Sequence, residues 1–313
     1  MTPPPPRSGR GGAAGRRSLR RAVVAGLACA GLFGAAGGLA AAQAPPPAAA
    51  AHTLAAAADA ALVRARQADA QGDTTAVLDA ARQALDGYQA VCAARSDCDW
   101  RPTWETRLLL ARHGQRRGLN SAALEHGQAA ADLARKAGDT AGQAQALAVA
   151  ADLCGLQGDG ADEQRLLAQA LRMARLDGGA ALRSRIALYE TKILRRRGDL
   201  GGARRSAEAG LAAARQVNDR QLRMGHYVNL SDVLVADGRP REALQAAEQG
   251  LALAGAPGTG RTERTLSHNA ALARIGLGQV PQALQVLDPL LAAYRAAGAR
   301  ADEAIALREF AEA

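Results

Sequence analysis

The sequence predicts an all-α chain built as a solenoid, with antiparallel helix pairs stacked in about six repeats and a further helix at the C-terminus. Three observations predict it. Ala, Leu, Arg and Gly dominate the 313 residues and aromatics make up only 3%, so good helix formers combine with side chains small enough for close helix approach. Runs of β-branched residues are scarce, which argues against a sheet. Finally, Gly118, Gly158, Gly198, Gly238 and Gly278 stand forty residues apart, with Gly72 forty-six before the first. A fixed period of that size marks units that bury their apolar faces only by stacking on neighbours.

Residues 1–42 read as an export signal. Arg7, Arg10, Arg16, Arg17, Arg20 and Arg21 precede the uncharged stretch AVVAGLACAGLFGAAGGLAAA, which ends on the small-residue site Ala40-Ala41-Ala42. Cleavage there avoids the bond that Pro45 would block. Arg16-Arg17-Ser18-Leu19 resembles a twin-arginine motif without its usual apolar pair and trailing Lys, and Cys29 lacks a lipobox. The competing reading is an uncleaved anchor, but the stretch is Gly/Ala-rich and only weakly apolar. A cleaved signal predicts a periplasmic or secreted protein. Those six Arg carry most of the net charge of +9, because the other 33 basic residues nearly balance 30 acidic ones. That balance describes a solvated repeat surface, and the scarcity of aromatics argues against a nucleic-acid partner.

A Pro/Ala-rich linker covers 43–53 and the repeats cover 54–299. Around each ruler glycine lie stretches with apolar residues at three- and four-residue spacing, such as REALQAAEQGLALA and PQALQVLDPLLAAY. Twenty residues after the ruler glycines come Gly138, Gly178, Asn218, Gly258 and Gly298, residue types that tolerate the left-handed conformation ending a helix. Each unit is therefore helix A, a tight turn, helix B and a capped loop. Within helix B, Ala123, Ala203, Ala243 and Ala283 stand five residues after the turn. Leu85, Leu171, Leu211, Leu251 and Leu291 stand thirteen after it. The third unit departs from this, with Glu163 where Ala is expected. Residues 300–313 form a capping or truncated helix A with Ile305, Leu307 and Phe310 as its apolar face.

At these residues the chain resembles the tetratricopeptide repeat family. Gly118 with Leu110, Ala123 and Ala130 fits its pattern, as does Gly238 with Leu230, Ala243 and Leu251. The family's Trp and most of its Tyr positions are absent, and the period of forty exceeds its usual thirty-four. The resemblance implies a right-handed superhelix whose concave face, lined by A helices, binds a protein or peptide.

GAPGTGRT, residues 255–262, would match a nucleotide-binding loop if Arg261 were Lys. A phosphate loop needs a preceding strand, and an amphipathic repeat helix precedes this one. It is read as an inter-repeat loop, with neither nucleotide nor any other cofactor expected. RGD at 197–199 is likewise read as a turn at its ruler position.

Cys92 and Cys98 bracket the six extra residues of the first interval, and in an oxidising compartment they are expected to form a disulfide beside Trp100 and Trp104. Cys154 is read as a small core residue. The five His form no H-E-x-x-H, so no metal is expected, and no nucleophile–base spacing points to catalysis. Six residues before successive turns stand Arg112, Asp152, Lys192 and Asp232. They form either an alternating charge ladder between repeats or a mixed-charge stripe on the concave face. Three residues earlier stand Tyr189, Asn229 and Asn269, the Asn residues either clamping an extended peptide or bridging helices. The function expected is an exported, non-enzymatic scaffold for a protein or peptide partner. The alternative is the periplasmic sensory region of a longer membrane signalling protein of the diguanylate cyclase or histidine kinase type. That alternative requires residues beyond 313, since no apolar span follows residue 42. A membrane association is expected only with it or with an uncleaved signal.

Overall fold

The computed structural model describes residues 48–94, 98–176, 178–254, 260–296, 303–304 and 306–308. The segment expected to be an export signal, with Cys29, the cap positions Gly258 and Gly298, most of the GAPGTGRT loop, and Ile305 and Phe310 lie outside the described residues.

At eight helix ends a left-handed residue stops the helix, and the next helix begins two residues on. Gly72, Gly118, Gly158, Gly198, Gly238 and Gly278 all have positive φ, as do Gly138 and Asn218. An L side chain there would press on its own carbonyl, so Gly and Asn are favoured. Asp follows five of these residues, and its carboxylate accepts from the backbone N–H three residues on. Asp73 takes Ala76, Asp139 takes Gly142, Asp159 takes Asp162, Asp199 takes Gly202 and Asp219 takes Leu222, at 2.7–3.0 Å. Each bond satisfies one orphan donor of the following helix, worth about 1 kcal/mol. RGD is thus a helix stop followed by a helix start. Gly178 is the exception on the second grid. Its φ is not positive, and Gly179 in extended conformation (φ −58°, ψ 171°) begins the next helix instead.

The result is twelve helices among the described residues: α1 (Ala48–Gln71), α2 (Thr74–Ala94), α3 (Arg101–Arg116), α4 (Asn120–Lys136), α5 (Thr140–Leu156), α6 (Gly160–Leu176), α7 (Ala180–Arg196), α8 (Leu200–Gln216), α9 (Arg220–Ala236), α10 (Pro240–Leu251), α11 (Arg261–Gly276) and α12 (Val280–Ala296). Consecutive helices pack as pairs. Each odd helix also packs on the next odd one, so α1, α3, α5, α7, α9 and α11 form the inner layer and the even helices the outer one. α1 starts at Ala48, inside the segment expected to be linker, because the alanines after Pro47 are strong helix formers.

The small-residue column is fully closed, with Ala123, Ala203, Ala243 and Ala283 buried where helix B meets helix A. The leucine column is less uniform. Leu85, Leu211 and Leu291 are buried, whereas Leu171 and Leu251 are only half-buried. The deepest position lies one residue earlier, at Ala84, Ala130, Ala170, Gly210 and Gly250. There the next A helix comes closest, and a Cβ on Gly250 would lie 2.7 Å from Leu266. In the C-terminal segment Ala306 is buried and Leu307 is 42% exposed, so Leu307 does not belong to the apolar face expected of it.

The inner layer curves far enough for its ends to touch. The turn after α1 abuts the start of α11, where a Cβ on Gly72 would lie 3.0 Å from the Arg261 Cβ and 3.1 Å from an Arg264 guanidinium nitrogen. Among the described residues, no helix is long and apolar enough to cross a membrane.

Candidate ligand-binding channel

All six inner helices line one cavity of about 480 Å³. Arg66 and Asp69 come from α1, Arg112 and Arg116 from α3, Tyr189 from α7, and Arg261 from α11, with α5 and α9 completing the wall. A second cavity, of about 1100 Å³, continues along the same face. Lys192, Asn229, Asp232, Leu272, Asn269 and Tyr294 are among its lining residues. Arg261 borders both, so the two form one channel along the concave face.

The structure places every expected concave-face residue in this channel but corrects how they pair. The ladder between Arg112, Asp152, Lys192 and Asp232 does not form. Asp152, 2% exposed, accepts from Gln115 at 2.9 Å and pairs with Arg196 at 2.7 Å, while Asp232 pairs with Arg195 at 2.7 Å. Both partners sit near the C-terminal end of α7, where their long stems reach the neighbouring helices, while Lys192 lies a turn earlier. Arg112 has no ion pair or hydrogen bond among the described residues, and its Nε is buried without a partner. The Lys192 ammonium stands 5.3 Å from the centre of the Tyr189 ring, a cation–π contact, and has no carboxylate within ion-pair distance. Burial pushes the Lys192 pKa down; Asp152 opposes this, and Arg261 and Arg116 add to it. Arg116 is pushed down to about 10 by burial and by Arg261. Arg112, Arg116 and Arg261 thus line the smaller cavity together with Asp69, Asp219 and Glu263, while Lys192 lines the larger one.

Asn229 donates to the Leu188 carbonyl at 2.9 Å. Asn269 donates to the Val228 carbonyl at 3.0 Å and to Ser231 at 2.8 Å. Each amide thus ties its A helix to the preceding one. The amide nitrogens serve the inter-repeat bond, and the side chains still border the larger cavity.

Sequence reading missed three clusters. The first explains the misfit Glu163. It is 3% exposed and paired with Arg196 and Arg197, so the buried carboxylates of Asp152 and Glu163 and the more exposed guanidiniums of Arg196 and Arg197 form a network joining α5, α6 and α7. Gly155 makes the room, since a Cβ there would overlap the Glu163 carboxylate and the Arg196 guanidinium. The signal was present: an off-ruler glycine at the end of helix A, eight residues before an acid in a small-residue column. In the second, His113 Nε2 lies 2.8 Å from Asp69 Oδ1, with Arg116 3.5 Å from the same oxygen. Burial pushes His113 down to about 4 against the pull of Asp69. Burial alone would raise the Asp69 carboxyl, but the His113 hydrogen bond and the fields of Arg112, His113 and Arg116 hold it well below the carboxylate range. The third is His226, fully buried in a slot left by Gly210, with Nε2 2.8 Å from Ser184 Oγ. Among the described residues no carboxylate completes a triad there, and neither side chain lines the channel.

Cys92 and Cys98 are bonded to each other, Cα atoms 5.1 Å apart, and Cys154 is free and buried in α5. Trp104 is buried against Gly142, and Trp100 carries the Lys136 ammonium 5.7 Å from its ring centre.

The chain is a tetratricopeptide-like helical-repeat solenoid. No protein-family model matches its sequence, and no curated protein matches it significantly. Solved structures do. The NprR protein in complex with its cognate peptide NprX superposes with a TM-score of 0.59 at 16% identity, covering 81% of this chain and 72% of that one. Aspartyl phosphate phosphatase F from Bacillus subtilis gives 0.59 at 14% identity over 84% and 70%. A signal transduction ATPase with a tetratricopeptide repeat sensor from Pyrococcus horikoshii gives 0.55 at 14% identity over 73% of this chain and 34% of that one. At such identities the likeness shows the fold alone.

Proposed function

We propose that this protein is an exported, non-enzymatic scaffold that binds a peptide or an extended protein segment in the channel of its concave face. The observation that carries the reading is the channel itself: six repeats contribute side chains to one continuous concavity, and its larger part is lined by amides, apolar groups and charged side chains of both signs. That mixture suits an extended chain, whose backbone needs hydrogen bonds and whose side chains need apolar contact. NprR, of the same fold, is named for a complex with a peptide. Export rests on the signal-like residues 1–42 and on the Cys92–Cys98 bond, which persists in oxidising compartments.

The test is selection of a displayed peptide library on the purified protein, followed by affinity measurement for the selected peptide. Leu272→Arg, which fills the larger cavity, is expected to weaken binding about tenfold or more, while Arg165→Gln on the outer layer leaves it unchanged. Binding that ignores Leu272→Arg and is lost on outer-layer substitution sinks the reading. A second reading has its own support in the tetratricopeptide repeat sensor of the Pyrococcus horikoshii ATPase: the array is the sensory part of a longer signalling chain. Sequencing the native transcript past codon 313 separates the two, because only the sensor reading requires an open frame into an apolar span.

A further inference from the structure

We propose that the two ends of the inner layer form a seam, which opens to admit the occupant of the channel and shuts around it. Its role in admitting a peptide rests on the peptide-binding reading; the seam itself rests on contacts between the first and sixth repeats.

One turn differs from its equivalents. The left-handed glycines Gly118, Gly158, Gly198, Gly238 and Gly278 are exposed, and a Cβ on any of them would meet nothing within 4 Å among the described residues. Gly72 holds the same position in the first repeat, with φ 77°, but it is buried. The Arg261 Cβ, the Arg261 backbone nitrogen and an Arg264 guanidinium nitrogen stand 3.0–3.2 Å from the place of a Gly72 Cβ. The start of α11 therefore closes over the turn that ends α1.

The sequence carries a matching irregularity. Fourteen residues before successive ruler glycines stand Trp104, Ala144, Ser184 and Met224, all buried. In the last repeat that column holds Arg264, also buried, and its guanidinium lies against the Gly72 turn. A cation suits that place, because the C-terminal end of a helix carries partial negative charge.

The seam is built to part more easily than the other junctions. Neighbouring inner helices are tied by Asp69 to His113, Gln115 to Asp152, Arg196 to Asp152, Asn229 to the Leu188 carbonyl and Asn269 to the Val228 carbonyl. α1 does not pack along α11 as α9 does; the junction is one turn against one helix start. Few buried contacts mean a low cost of local opening. No hinge is needed, because each repeat packs only on its neighbours and small rotations at five junctions add up at the seam. When shut, the seam completes the ring of six inner helices around the narrower cavity, and Arg261 borders the wider one as well. Parting at Arg261 thus widens both.

The experiment measures electron–electron distances between spin labels on Gln71→Cys and Thr262→Cys in the full chain, where Cys92 and Cys98 are bonded and Cys154 is buried. Gly72→Asn puts a side chain into the seam without straining the turn, since Asn218 holds a like conformation with φ 50°. It is expected to shift the distances upward, while Gly238→Asn leaves them unchanged. The second arm follows association and dissociation of the peptide selected on the wild-type protein. Dissociation is expected to quicken about tenfold in Gly72→Asn and to stay at the wild-type rate in Gly238→Asn. Gly72→Cys/Arg261→Cys places two Cβ atoms 3.0 Å apart, near enough to bond. Its oxidised form should slow both rates about tenfold or more against each single Cys variant. Should Gly72→Asn fail to fold, this cross-link carries the test. Distances indifferent to Gly72→Asn overturn the seam, and exchange rates indifferent to the cross-link overturn the gate. If no peptide is selected, the gate falls with the peptide-binding reading, and the label distances alone decide whether the seam opens.

Discussion

Lowering the pH from 7 to 4 should weaken the fold through His226, and the geometry fixes sign and size. The imidazole is fully buried among α7, α8 and α9; Nε2 faces Ser184 Oγ at 2.8 Å and the Ser184 carbonyl at 3.1 Å, and Nδ1 has no partner. Burial pushes its pKa down to about 4, with the Ser184 carbonyl opposing. The unfolded chain, with an ordinary His, therefore takes up a proton that the folded chain refuses. The stabilisation is fully present above about pH 6.5, declines as pH falls to about 4, and changes no further below that, where both states are protonated. A displacement of that size corresponds to about 3 kcal/mol. The assay is urea unfolding at stepped pH for the wild type and for Ser184→Ala/His226→Phe, which keeps a ring in the Gly210 slot. His113, also pushed down to about 4, titrates in both proteins, so the difference between the two curves isolates His226. Parallel curves would refute the reasoning, as would an NMR titration placing the His226 midpoint above pH 6.

Two other perturbations test separate parts of the structure. Glu163→Ala leaves Arg197 and part of Arg196 without their carboxylate and should cost about 1–2 kcal/mol, because both guanidiniums remain accessible to water. Gly155→Ala is damaging alone, because its methyl meets Glu163, but should cost much less in the Glu163→Ala background; additive losses in a double-mutant cycle would show that the two positions do not share the slot. Reducing the Cys92–Cys98 bond, which closes a loop with a sequence separation of 6, should lower unfolding stability by about 2 kcal/mol. Dithiothreitol should leave Cys92→Ser/Cys98→Ser unchanged, and an equal effect on both proteins would place the sensitivity elsewhere.

The helices were legible because their boundaries are written twice, once in a residue that accepts positive φ and once in the Asp that caps the next helix. Gly198 with Asp199 and Asn218 with Asp219 need no tertiary information. Burial columns were legible where a small side chain alone permits contact, as at Ala203 and Ala243. Leu171 and Leu251 were harder, because depth at that position depends on how far the next A helix shifts, a property of the neighbour and not of the column. The channel residues Tyr189, Asn229, Asn269, Arg112 and Lys192 were found by periodicity, which fixes the helix face a residue occupies. Pairing was not legible. Periodicity compares like positions forty apart, whereas a long Arg side chain reaches about one turn along its neighbour, so Asp152 is met by Arg196 and not by Lys192.

That offset is also what gives the channel its character. Asp152 and Asp232 act on Lys192 only through their fields, which leaves its ammonium over the Tyr189 ring at the channel wall. Arg195 and Arg196, adjacent near the end of α7, take one carboxylate each from opposite neighbours: Asp232 on α9 and Asp152 on α5. Arg196 also holds Glu163 on α6. α7 thus fixes three helices through its last turn while the turn before it presents Lys192 to the lumen. Inter-helix pairing and channel lining by a cation are therefore assigned to different turns of one helix. Removing Lys192 should change binding and not folding, whereas removing Glu163 should do the reverse.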